Sequence, residues 1–144
     1  MSANLGKPAR LIWSLTGSAL GTTLAADGDS GGWDQSNLNA VTPVDLRDVE
    51  DVWLTALCTG HSGTTPTLTV SLNVFDDGGN AWQALALAAI NTDGVGGGKQ
   101  ASSGLHGGAA SSYFVLPQWG QVAWAIGGSA SPTFTGVDIS LWAR

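Results

Sequence analysis

The chain has 144 residues and a formal net charge of −6, with only five Lys and Arg to set against eleven Asp and Glu. No basic stripe is available to neutralise phosphates, so the composition speaks against nucleic acid and against an anionic membrane surface as partners. The length suits one domain able to bury about two-thirds of its unfolded surface, and the 11% of charged residues leaves Ser and Thr as the main polar surface.

Met1 to Arg10 lacks periodicity and ends in Lys7-Pro8-Ala9-Arg10, which reads as an extended arm. The following residues imitate a secretory signal, but Ser14, Thr16, Gly17, Ser18 and Gly21 interrupt the apolar region, so a cleaved leader is not expected. Strands are predicted at Arg10 to Leu15, Val52 to Thr59, Leu68 to Asp76, Trp82 to Ala88, Tyr113 to Leu116, Gln121 to Ile126 and Thr135 to Trp142. A further one falls within Ala19 to Ala26. The clearest is Thr67 to Val74, where Leu68, Val70, Leu72 and Val74 alternate with Thr67, Thr69, Ser71 and Asn73, the two-residue period of a strand with one buried face. Asp76-Asp77-Gly78-Gly79-Asn80 then turns the chain, because Gly and Asn accept the positive φ of a tight hairpin.

The run Ala84 to Ile90 has alanine-rich helical propensity, yet the hairpin before it favours strand. Its seven apolar residues fall far short of the roughly twenty that span a bilayer. Asp93 to Ser112 reads as a twenty-residue Gly/Ser loop with almost nothing to bury, of the kind that gains order from neighbouring molecules. Many short strands, frequent turns and no long amphipathic helix predict an all-β domain over residues 11–144. The specific expectation is an antiparallel β-sandwich, an eight-stranded jelly roll, with an N-terminal arm over residues 1–10.

Several segments imitate chemical motifs and fail on context. Gly28-Asp29-Ser30-Gly31-Gly32 spells the serine-protease nucleophile sequence, but His61 and His106 both follow it, where that enzyme class places its histidine and aspartate upstream. Asp27-x-Asp29 lacks two ligand positions of a calcium loop, and Gly96-Gly97-Gly98-Lys99 lacks the hydroxyl residue of a phosphate loop. Phe75 to Trp82 matches the Asp box at Asp77, Gly79 and Trp82, a structural hairpin that a propeller would repeat several times. Asp45, Asp48, Glu50 and Asp51 form a solvated edge, with no apolar pocket that would tune a general acid. Both histidines sit in Gly/Ser surroundings and read as surface residues. Cys58 keeps phase with Val52, Leu54 and Ala56 and reads as a small buried hydrophobe. No catalytic residue, cofactor or metal is expected.

The hairpin VSLNVFDDGGNAW and the C-terminal run LPQWGQVAWAIGGSASPTFTGVDISLWAR resemble the small structural proteins of tailed-bacteriophage virions, the capsid decoration (cement) and minor head proteins. The resemblance covers Val52 to Arg144. It implies a β-sandwich bound to the outer face of a capsid, with the major capsid protein and copies of itself, commonly as a homotrimer, as partners. It carries over no catalytic residues. Under this reading the contact candidates are Lys7 and Arg10 of the arm, Leu105 and His106 of the Gly/Ser loop, and Trp33, Trp119 and Trp142, since large aromatics anchor interfaces. Trp142 alternates with Val137, Ile139 and Leu141 and belongs on the opposite face of its strand. A tail or fibre component is the second expectation, and a carbohydrate-binding module, which stacks exposed Trp on sugar rings, the third.

Overall fold

The computed structural model describes residues 8–21, 27–29, 44–75, 81–91, 99–106 and 117–144. Nine strands lie within them: β1 (Arg10–Gly21), β2 (Asp27–Asp29), β3 (Val44–Asp45), β4 (Asp51–Cys58), β5 (Gly60–Phe75), β6 (Ala81–Ala86), β7 (Ile90–Asn91), β8 (Lys99–His106) and β9 (Trp119–Ala143). No described residue is helical. All pairings are antiparallel, in one sheet whose path runs β6-β5-β9-β4-β8, with β1, β2 and β3 on β9 and β7 on β5. The two ends of the path, β6 and β8, come close to one another, so the sheet curls into a half-barrel.

The organising unit is a long ribbon. β4 and β5 follow one another along the same edge of β9: Val52 lies opposite Ala143, Leu57 opposite Asp138, Gly60 opposite Thr135, and Val74 opposite Gly120. The strands of the expected hairpin pair, with Phe75 opposite Ala81 and Val74 opposite Trp82, while its turn, Asp76 to Asn80, lies outside the described residues. Alternation decides which face is buried. Val52, Leu54, Ala56 and Cys58 of β4, Leu68, Val70, Leu72 and Val74 of β5, and Val137, Ile139 and Leu141 of β9 turn inward to a common core that also holds Phe134, Val122 and Trp124. A fully buried side chain of this size contributes about 1.5–3 kcal/mol, so these rows outweigh any single polar contact described below.

Both halves of the ribbon face one core because the ribbon kinks in the middle. The register slips between Ser62 and Thr64 and again between Thr64 and Thr67. Positive φ angles collect there: Gly63 (95°) and Thr65 (45°) on β5, Gly128 (123°), Ala130 (58°) and Ser131 (51°) on β9. Such irregularities bend a strand and raise its twist. The two runs also touch closely: a Cβ on Gly63 would meet Pro132 Cα at 2.7 Å, and one on Gly128 would meet the Thr64 and Thr65 carbonyl oxygens at 3.0 Å.

Four expectations change. Gln121 to Ile126 and Thr135 to Trp142 belong to the single strand β9, because β5 keeps pairing across the kink. The expected loop Asp93 to Ser112 contains β8, whose eight residues pair with β4 from Asp51 opposite His106 to Cys58 opposite Lys99. Its backbone bonds make a strand without any apolar alternation. Gly60 to Pro66 likewise belongs to β5, so His61 lies in a strand opposite Phe134. The strand expected from Arg10 to Leu15 starts at Arg10, opposite Ala143, but runs on to Gly21. Tyr113 to Leu116 lies outside the described residues, as do Lys7 and Trp33.

Candidate interaction surface

Of the seven expected contact residues, four come together. β1, β9, β4 and β8 lie side by side, and at one end of this four-strand width Arg10 is opposite Ala143, Ala143 opposite Val52, and Val52 opposite Leu105. One step further in, Leu11 is opposite Trp142, Trp142 opposite Trp53, and Trp53 opposite Gly104. Asp51 and His106 close the corner as a register pair. Arg10, Leu105, His106 and Trp142 therefore lie along one end of the same four-strand width although they stand 130 or so positions apart at the extremes, a gathering only the sheet creates.

Trp142 does leave the core face, as alternation required: Leu141 is fully buried while Trp142 is 36% exposed. Trp53 is more open, at 55%, and Leu11 adds a third apolar side chain at 48%. Trp53 was absent from the sequence-based candidates. The signal for it was present, since it falls out of phase with Val52, Leu54 and Ala56 just as Trp142 does with its own strand.

An ion pair borders these indoles. The Arg144 guanidinium donates from Nε (2.9 Å) and Nη2 (2.6 Å) to Asp51 Oδ2, and the two backbones are joined as well. The Glu50 and Asp51 N–H groups donate to the Arg144 carbonyl (2.7 and 2.9 Å), and the Arg144 N–H donates to the Asp51 carbonyl (2.9 Å). Asp51 is thus half-buried and paired, which corrects its reading as part of a solvated edge; Asp45, Asp48 and Glu50 are exposed. Ala9, Asp51, Val52, Trp53, Trp142, Ala143 and Arg144 line a concavity of about 220 Å³. That is below the roughly 300–1,000 Å³ of sites for drug-sized ligands.

Trp119 stands apart from this cluster, opposite Asp45 in the β3–β9 pairing. Arg47 lies over its ring at 5.9 Å and makes a forked contact with Asp45: Nε reaches Oδ1 at 3.0 Å and Oδ2 at 2.9 Å, and Nη2 reaches Oδ2 at 2.6 Å. The Arg47 backbone N–H also donates to Asp45 Oδ1. The side-chain hydrogen bond from Arg47, then the backbone one, hold the Asp45 carboxyl below its usual range. Trp119 is half-buried beneath this pair.

His61 is a further correction. Its Nδ1 is buried with no hydrogen-bond partner, as is Trp124 Nε1, so His61 is not simply a surface group. Among the described residues no three His, Cys, Asp or Glu side chains are grouped to hold a metal ion. Cys58 is buried, and Gly28 of the protease-like sequence lies in β2 opposite Trp124. The chemistry this surface offers is contact: flat aromatic faces, an apolar flank and a charge-assisted pair. No family model matches the chain, and no curated protein matches it.

Proposed function

We propose that this protein is a structural component of a phage virion, a capsid decoration (cement) protein that binds the outer face of the shell and stabilises it through contacts, with no catalytic turnover. Its partners in this reading are the major capsid protein and copies of itself, arranged as a homotrimer, and its place is the capsid surface. The observation that carries the reading is the gathering of Arg10, Leu105 and His106 at one end of the sheet, where the N-terminal residues enter and the Asp51–Arg144 pair ties β4 to β9. A sheet end that gathers strands from both ends of the sequence supports a part that spans a joint between neighbours. In finer architecture the protein is a jelly-roll-like β-sandwich, with the kink at Gly63 and Gly128 folding the two halves of the ribbon over one core.

Bound copies stabilise a shell by mass action, as any ligand does that prefers the assembled state. The test is to add purified protein to undecorated shells of the phage that encodes it. It co-sediments with shells and raises their melting temperature, and Arg10→Glu weakens both effects. Protein that stays in the supernatant, or that partitions with isolated tails, overturns the reading.

A further inference from the structure

The outer face of the β1–β9–β4 region is built differently from the sheet end beside it. Its first row is Leu11, Trp142 and Trp53, directly opposite one another on adjacent strands. The next row on the same face is Ser14, Ser140 and Thr55, and beyond it Asp138 lies opposite Leu57 and accepts a hydrogen bond from the Gly17 N–H at 2.6 Å. Two adjacent indoles, an ion pair on one flank and a line of hydroxyls on the other thus share one face of the sheet.

We infer that this face is a carbohydrate-binding site, with Trp53 and Trp142 as a stacking platform for one or two pyranose rings of a neutral glycan. The apolar faces of sugar rings cover indole surface, as any apolar ligand does, while ring hydroxyls need donors and acceptors at the edge. Arg144 supplies donors and Asp51 acceptors at the concavity, and Ser14, Ser140 and Thr55 supply both on the far side.

Area and charge choose this occupant over the others. With Trp53 at 55% and Trp142 at 36% exposure, and about 150–250 Å² for a whole aromatic side chain, the two indoles offer about 140–230 Å². A stable protein partner takes about 800 Å² from each side, and the neighbouring row here is hydroxylated instead of apolar. Strand-to-strand spacing of about 4.8 Å sets the indoles side by side, a platform with the dimensions of a small ring system. Nucleobases also stack on tryptophan, but a chain of net charge −6 repels their phosphates. An uncharged sugar meets neither obstacle.

The test is an array of neutral glycans of gluco, galacto, manno and xylo configuration, with acidic polysaccharides alongside, followed by titration of tryptophan fluorescence with the strongest binder. The wild type binds at least one neutral class and no acidic one. Trp53→Ala and Trp142→Ala each weaken that binding by about tenfold or more, the loss of one anchoring contact, while Trp82→Ala, which removes an indole 62% exposed on β6, leaves it unchanged. Both platform residues are exposed, so circular dichroism of the variants stays that of the wild type. The inference is overturned if no neutral glycan binds, if Trp82→Ala costs as much as the platform variants, or if light scattering shows that Trp53→Ala dissociates an oligomer. Sedimentation with shells is measured on the same variants and separates this site from the proposed anchoring end, because each can fail while the other stands.

Discussion

The two halves of the long ribbon and the kink between them hold their shape by different means. Where β4 runs beside the end of β9, structure is written in side chains: every second residue is apolar and buried, and the pairing from Val52–Ala143 to Leu57–Asp138 has no irregularity. At the kink it is written in the backbone, with five positive φ angles and two chain segments in contact at glycines. The first kind of order tolerates change on its outer face and none on its inner one. The second tolerates little added bulk on either face.

Adjacent residues in the regular half give the largest test. Leu141 is fully buried and Trp142 is its outward neighbour. Leu141→Ala costs about 3–5 kcal/mol by urea denaturation, the transfer loss plus the cavity left behind. Trp142→Ala costs less, about 1–2 kcal/mol, losing the cross-strand contacts with Trp53 and Leu11. Similar costs for the two would mean that the outer face is packed under something in the free protein.

At the kink, Gly63→Ala costs about 2–4 kcal/mol, since the new methyl meets the Pro132 backbone and the residue keeps a left-handed φ of 95°. The opposite change gains. Ala130 has a φ of 58°, which disfavours an L side chain, so Ala130→Gly stabilises by about 0.5–1 kcal/mol after the added freedom of the unfolded chain is subtracted. If Ala130→Gly destabilises, the kink is held by packing of the alanine methyl and not by its backbone geometry.

The same contrast explains what could be read in advance. Val52 to Thr59 was predicted within a residue of β4, and the outward turn of Trp142 was predicted outright, because alternation carries both. β8 and the first part of β5 fall outside the predicted strands because Gly, Ser and Thr dominate them and their order comes from ladder bonds to β4 and β9. The unity of β9 was hidden for a related reason: Gly127-Gly128-Ser129-Ala130-Ser131-Pro132 has the composition of a connection, and only a partner strand bent at the same level keeps it in the sheet. The contact cluster was half legible. Its residue types could be named, but the neighbourhood of Arg10, His106 and Trp142 depends on strand order, which no local pattern encodes.

The smallest expected effect lies at the turn outside the ribbon. Arg47 holds the Asp45 carboxyl below its ordinary pKa, first through its side-chain hydrogen bonds and then through its backbone N–H. Asp45 is therefore a better acid folded than unfolded, and its contribution to stability is present above the ordinary carboxyl value, about 3.9. It fades as pH falls from there through the lowered folded value. Asp45→Asn should consequently lower the urea midpoint slightly at neutral pH, and the gap between variant and wild type should shrink as both are acidified. Solvent screens the pair, with Arg47 at 64% and Asp45 at 39% side-chain exposure, so the neutral-pH gap also narrows in molar salt. The absence of any gap at neutral pH would assign the role of Asp45 to the hydrogen bond it accepts from the Arg47 backbone N–H, a contact that asparagine retains.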